Sequence, residues 1–216
     1  MQPNNTIRTF EYPWAYHAVS VRPGLEVLEI GGGLGGLQFV LDRAGARVVN
    51  VDPGMAASGI GWPCDVETIR ILNKLFATNV ELRNSAIGQA GLQPQSFDVA
   101  ISISVLEHLT DQELEDVMIR TFDALRPGGT FVITLDLFLE VEPFTRRKEC
   151  RYGRNVNVRE MIALAPFVLE QGNRNELYGF DEFDAEGILA HLSDYLVGEY
   201  PALAQCLLLR KPVDAT

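Results

Sequence analysis

Val27-Leu28-Glu29-Ile30-Gly31-Gly32-Gly33-Leu34-Gly35-Gly36 is the stretch on which the fold turns. A short apolar run carrying one acid, Glu29, enters a glycine-rich turn, and an apolar segment expected to be a helix, Leu37 to Ala44, follows at once. Strand, glycine turn and helix in that order suit a nucleotide-type ligand. Glycine lets the backbone approach the ligand closely, and the helix start presents unpaired N–H groups to it. A second strand, Ala46 to Val51, ends on Asp52, about 20 residues beyond the glycines, where a carboxylate can hold ribose hydroxyls.

Two patterns overlap in this turn. Gly31, Gly33 and Gly36 satisfy the G-x-G-x-x-G spacing of a dinucleotide site, which points to an NAD-dependent oxidoreductase. Glu29, Gly31, Gly33 and Gly35 equally satisfy E-x-G-x-G-x-G, a pattern found where S-adenosylmethionine binds. The dehydrogenase reading needs a downstream catalytic pair such as Tyr-x-x-x-Lys, and the chain has none.

Upstream lies Glu11-Tyr12-Pro13-Trp14-Ala15-Tyr16-His17, a dense aromatic group, with a short helix expected over Trp14–Val19 and Pro13 at its start. Such an arm covers the sheet or closes over the ligand, and Tyr12 and Trp14 are its acceptor-side candidates. Downstream, Asp65 can cap a helix over Val66–Ala77 with Ile69, Leu72, Leu75 and Phe76 inward, and Val80–Leu82 reads as a third strand. Phe97–Ser104 is apolar enough for a strand buried on both faces. Thr110 and Glu113 have capping-box spacing, and the helix they open stops at Arg126-Pro127-Gly128-Gly129, before a fifth strand, Thr130–Asp136. Further on, a helix over Val158–Ala165, a strand over Phe167–Glu170, a helix over Asp184–Val197 and a last strand over Leu203–Leu209 are expected. The later helix would place Ile188, Leu189, Leu192, Tyr195 and Leu196 on one face. Alternation of strand and helix predicts an α/β fold with a mainly parallel sheet.

The chain has 216 residues, 47% hydrophobic and 22% charged, which suits a single globular domain over 1–216. Residues 1–24 form the arm, 25–136 the ligand-binding core, and 137–216 an acceptor-side region with the closing strands. A net charge of −11 argues against nucleic acid as a partner. No apolar run is long enough to span a bilayer, and Met1–Thr6 lacks the features of a signal peptide, so a cytoplasmic location is expected. Cys64, Cys150 and Cys206 are scattered, and no metal-ligand spacing is present. Arg146, Arg147, Lys148, Arg151 and Arg154 stand close together in an acidic chain. They read either as a solvated loop or as a grip on a carboxylate- or phosphate-bearing acceptor, with Arg147 and Arg151 foremost.

The order of these motifs resembles that of the class I S-adenosylmethionine-dependent methyltransferases, over roughly residues 25–136. Glu29–Gly35 is similar to the family's first motif, and Asp52 stands at its ribose position. Phe97-Asp98-Val99 resembles the start of strand four, Leu106-Glu107-His108 its continuation, and Leu125–Gly129 the turn before strand five. The resemblance implies a Rossmann-like seven-stranded sheet in the order 3-2-1-4-5-7-6, flanked by helices, with strand seven antiparallel. It also implies S-adenosylmethionine as cofactor and S-adenosylhomocysteine as product. Cofactor contacts are then expected from Glu29, Gly31, Gly33, Gly35, Asp52, Pro53, Ser85, Ala86, Ser102 and Ile103. At Ser85 and Ala86 many relatives carry an acid against adenine, and this chain has none. His108 is the candidate base near the transferred methyl, beside a structural reading of the same residue. The expected reaction is methyl transfer to O or N of a small molecule, enclosed by the arm, the 137–157 loop and the 173–198 segment. A protein that binds the cofactor without catalysis would carry the same cofactor residues.

Overall fold

The computed structural model describes residues 7–195 and 202–213. Seven strands form one sheet: β1 Glu26–Ile30, β2 Arg47–Val51, β3 Glu81–Arg83, β4 Phe97–Ile103, β5 Leu125–Phe138, β6 Val168–Gln171 and β7 Ala202–Arg210. Their order is β3-β2-β1-β4-β5-β7-β6, as the resemblance implies. β1 to β5 pair in parallel, whereas β7 runs antiparallel to both β5 and β6. The helices are α1 Arg8–Val19, α2 Leu37–Arg43, α3 Val66–Phe76, α4 Asp111–Ala124, α5 Val158–Ala163, α6 Ala185–Ala190 and α7 Leu192–Tyr195.

Successive strand residues point to opposite faces, and this divides the core in two. Val99, Ile101 and Ile103 of β4 and Val132 of β5 join Ala15, Leu37, Phe39, Leu41, Ile69 and Leu72 of α1, α2 and α3. Ala100 of β4 and Phe131, Ile133 and Leu135 of β5 join Leu114, Val117, Met118, Val158 and Met161 of α4 and α5. The sheet is thus covered by helices on both sides, which is why its central strands carry near-continuous apolar runs.

Local chemistry sets the helix starts. Asp65 accepts the Thr68 N–H at 2.8 Å, and Thr110 and Glu113 form the expected reciprocal box. Three expectations are corrected. α1 starts at Arg8, so Pro13 lies inside it rather than at its first turn. The turn ahead of Pro13 is held from outside the helix, because Glu11 accepts the hydroxyls of Ser104, just beyond β4, and of Thr134 in β5. Leu75 is exposed, since Ile69, Leu72 and Phe76 already form the inward stripe at spacings of three and four. The expected helix over 184–197 is interrupted at His191, whose ring and N–H both reach the Gly187 carbonyl. Leu189 and Tyr195 are exposed there, while Leu196 and Val197 lie outside the described residues, as does the Met1–Thr6 stretch.

No helix among the described residues is long and apolar enough to cross a membrane.

Candidate active site

The glycine turn is braced by two buried amides. Asn50 of β2 accepts the Gly32 N–H through Oδ1 at 3.2 Å and donates to the Gly33 carbonyl at 3.1 Å. Gln38 of α2 donates to the Gly33 and Gly35 carbonyls at 3.1 and 3.0 Å and accepts from Asn50 at 3.0 Å. Gly31 has φ +69°, and a side chain there would meet Val105 at 2.5 Å, so only glycine fits. Asp52 then joins two loops, accepting the Gly33 N–H at 2.8 Å through one oxygen and the Gly54 N–H at 2.6 Å through the other. A carboxylate has about four acceptor positions, so room for two further donors remains.

Beyond this turn opens a cavity of about 340 Å³. It lies at the C-terminal ends of β1, β2 and β4, the crevice that open α/β sheets use for ligands. Of the expected residues, Tyr12, Glu29, Gly31, Gly33, Asp52, Pro53, Ile103 and His108 line it. Gly35, Ser85, Ala86, Ser102, Trp14, Arg147 and Arg151 do not. Gly35 faces Tyr12, and Trp14 packs against the core under α1. Ser102 is fully buried on the alternate strand face from Ile103. Ala86 is exposed, and its neighbour Asn84 donates instead to the Asp52 carbonyl at 2.8 Å. Arg147 pairs with Glu140 at 2.7 Å, and Arg151 lies over the Tyr152 ring at 4.3 Å. The 137–157 excursion reaches the cavity through Tyr152, whereas no described residue of 173–195 does.

Glu29 is 3% exposed, and its Oε2 has no hydrogen-bond partner in the protein. Burial, with the nearby Asp52 charge, pushes its carboxyl up to about 8. His108 sits in the turn after β4. Its Nδ1 contacts the Tyr152 carbonyl, which requires the proton on Nδ1 and leaves Nε2 as an acceptor. Burial lowers its pKa to about 4, so the imidazole is neutral near pH 7. The Trp62 ring leans on it at 4.9 Å.

Arg8, Trp62, Ser104, Asp136 and Tyr152 are among the cavity residues that escape a reading of sequence alone. Arg8 pairs with Glu11 at 2.5 Å, a spacing of three along α1 that could have signalled it. Ser104 adopts φ +47°, outside the regions that serine favours, and donates to Glu11 Oε1 at 2.6 Å. Thr134 donates to the same oxygen at 2.6 Å. Glu107, behind Asp136, accepts the Asp136 N–H at 3.0 Å, and burial with the Asp136 charge holds its carboxyl well above the usual range.

Residues 28–131 match the family described as a methyltransferase domain. A ubiquinone biosynthesis O-methyltransferase of Rhizobium etli is 33% identical over 120 residues, covering 54% of this chain and 44% of its own. The match therefore spans less than half of that relative's length. The structure of a Burkholderia thailandensis 1,6-didemethyltoxoflavin-N1-methyltransferase, with S-adenosylhomocysteine bound, superposes with a TM-score of 0.62 at 17% identity, covering 96% of this chain and 78% of that one. The cyclase SpnF superposes with a TM-score of 0.66 at 16% identity, covering 94% and 80%. Both show likeness of fold. With the strand order and the braced glycine turn in place, residues 28–131 match a methyltransferase domain set in a fold like that of the class I S-adenosylmethionine-dependent methyltransferases.

Proposed function

We propose that this protein transfers a methyl group from S-adenosylmethionine to an oxygen or nitrogen atom of a small molecule, oxygen foremost. One observation carries the reading: a single cavity joins the glycine turn, Glu29 and Asp52 to the neutral imidazole of His108. The residues fit the cofactor. Glu29 Oε2, buried without a partner, suits the cofactor's amino group, and Asp52 retains acceptor capacity for ribose hydroxyls. When bound, the cofactor supplies a methyl on a sulfonium sulfur, electrophilic without any covalent nucleophile from the protein.

The protein's own tasks are then to orient and to move a proton. Glu29 would hold the cofactor's amino group and Asp52 its ribose hydroxyls, with the backbone of the glycine turn beside them. His108 Nε2 takes the proton from the acceptor hydroxyl as it attacks, with the Tyr152 carbonyl fixing the ring and its tautomer. Trp62 and Tyr12 narrow the cavity and limit water. Oxygen is favoured because a hydroxyl needs such a base, and the Rhizobium etli relative is itself an O-methyltransferase.

Since the fold also serves a cyclase, binding and methyl transfer must be measured separately. Calorimetric titration with S-adenosylmethionine and with NAD, on wild type and Asp52→Ala, tests the cofactor. Mass-spectrometric detection of methylated product from a phenol panel, on wild type and His108→Gln, tests the transfer. Tight S-adenosylmethionine binding lost in Asp52→Ala, with product lost in His108→Gln, is expected. Binding without any product would make the protein a cofactor-binding protein only, and binding of NAD alone would overturn the cofactor.

A further inference from the structure

We propose that Asn155 is a positioning residue for the methyl transfer. It latches the excursion between β5 and α5 onto the end of β5, and so keeps His108 in the tautomer that can accept a proton. The inference rests on the methyl-transfer reading above and adds a residue that does not itself line the cavity.

Asn155 is 9% exposed, and its amide is fully engaged. Its Oδ1 accepts the Phe138 N–H at 2.6 Å, while Nδ2 donates to the Phe138 and Glu142 carbonyls at 2.9 Å each. Both amide protons are thereby used. The reversed amide would set an NH2 group against the Phe138 N–H, so the orientation is fixed. Phe138 is the last residue of β5, where the excursion departs; Glu142 lies early in it, and Asn155 stands at its return. One buried side chain therefore ties departure, path and return of a segment that contains no strand or helix among the elements described.

The latch bears directly on the base. Next to Asn155, the Arg154 N–H donates to the Glu107 carbonyl at 3.3 Å, and two residues earlier the Tyr152 carbonyl meets His108 Nδ1. The Tyr152 ring stacks on Phe138, with centroids 6.4 Å apart and planes 16° apart. The residue whose backbone Asn155 grips thus also seats the residue that fixes the imidazole. Arg147–Glu140, Lys148–Glu142 and Arg154–Asp111 also tie the excursion, but these pairs face solvent, which screens them. The Phe138 groups are buried, so without the amide they lose their bonds and gain no water in exchange. If residues 152–155 shift, the Tyr152 carbonyl leaves Nδ1 and the ring can carry its proton on either nitrogen. With the proton on Nε2, the imidazole cannot act as a base toward the acceptor.

The test uses the whole protein and two substitutions. Asn155→Asp keeps an acceptor for the Phe138 N–H but sets its second oxygen against two carbonyls, and Asn155→Ala removes all three bonds. With S-adenosylhomocysteine bound, ring-nitrogen NMR should show one His108 tautomer in wild type, protonated on Nδ1, and a mixture in both variants. Turnover of a phenol acceptor should fall roughly tenfold to a hundredfold, with S-adenosylhomocysteine affinity kept. A residue that only stabilises the fold would lower the thermal midpoint and leave the tautomer and turnover of the folded variants untouched; that result would overturn the proposal. If neither variant folds, hydrogen exchange on wild type decides. The Arg154 amide should open no more often than the Phe138 amide, because the excursion cannot leave the turn after β4 while Asn155 grips β5. An Arg154 amide that opens more often would show the excursion lifting with the latch shut, and would equally overturn it. Absence of any methylated phenol from wild type would instead overturn the methyl-transfer reading, and the tautomer measurement would still decide the latch.

Discussion

Glu29 and His108 are both buried ionisable groups, and burial drives them in opposite directions toward the same uncharged state. Glu29 ionises at about 4.5 in an unfolded chain and about 8 when folded. The unfolded state therefore loses this proton first as pH rises, and its stabilising contribution is complete below the lower value and gone above the upper one. The thermal midpoint of the ligand-free protein should decline across that window, and Glu29→Gln should flatten the decline. Binding a cofactor ammonium against Glu29 drives it to ionise, so near pH 7 calorimetry in buffers of different ionisation enthalpy should register about one proton released, absent in Glu29→Gln. A wild type that releases no more than the variant would remove Glu29 from the cofactor's amino end. His108 has the opposite sign: it stays neutral until pH falls to about 4, so the acid limb of the rate profile should lie well below the ordinary histidine range. His108→Gln should lower kcat roughly a hundredfold to ten-thousandfold while leaving cofactor affinity intact. Glu29, Asp52 and His108 were legible because each lies in or shortly after an apolar run that reads as a strand, which sets it near a strand's C-terminal end. Arg8 and Asp136 were not, since their surroundings are assembled across the chain; Arg8 reaches the Ser104 carbonyl 96 residues away.

At the scale of elements, a single side chain links helix α4 to the strap that walls the cavity. Glu113 Oε2 accepts the Thr110 N–H at 3.0 Å, closing the helix cap, while its Oε1 accepts the Ser58 N–H at 3.0 Å. One residue on, Gly59 packs under the His108 carbonyl, and Ile60 and Trp62 reach the cavity. Thr110→Ala removes only the cap and should cost about 1 kcal/mol of stability with cofactor affinity unchanged. Glu113→Ala removes both, so a similar loss of stability should come with weaker cofactor binding. Equal affinity in the two variants would show that the strap does not depend on this tie. The cap itself was readable as Thr-x-x-Glu, because its two partners lie within one helical turn. The strap was not, because a glycine- and proline-rich stretch from Pro53 to Pro63 has no periodicity, and its path is set by contacts to the turn after β4. The same reason explains α1: its first turn has no strong start signal of its own and is held by the hydroxyls of Ser104 after β4 and Thr134 in β5.

The whole molecule brings one cavity together from α1, the glycine turn, the strap, the end of β4, late β5 and the 139–157 excursion. The strands themselves were legible, since each strand's burial follows from its own residues, whereas their order in the sheet followed only from the resemblance. The closure of the cavity depends on where the excursion returns, and Gly153 marks that return. Its φ is +137°, and a side chain there would meet the Glu107 carbonyl at 2.3 Å and His108 Nδ1 at 3.4 Å. The two segments can touch this closely only because glycine has no Cβ. The contact continues on both sides, with the Arg154 N–H donating to the Glu107 carbonyl at 3.3 Å and the Tyr152 carbonyl on His108. Gly153→Ala must therefore push the excursion off the turn after β4, at a cost of about 1–3 kcal/mol for the overpacked backbone. As the Tyr152 carbonyl withdraws, His108 loses the acceptor that fixes its proton on Nδ1, and ring-nitrogen NMR shifts should move from one tautomer toward a mixture. Methyl transfer should then fall more than cofactor affinity, because the glycine turn is braced by Asn50 and Gln38 and tied to Asp52, none of which touches the excursion. A Gly153→Ala protein that kept the single tautomer and full turnover would show that the excursion covers the site without positioning its base.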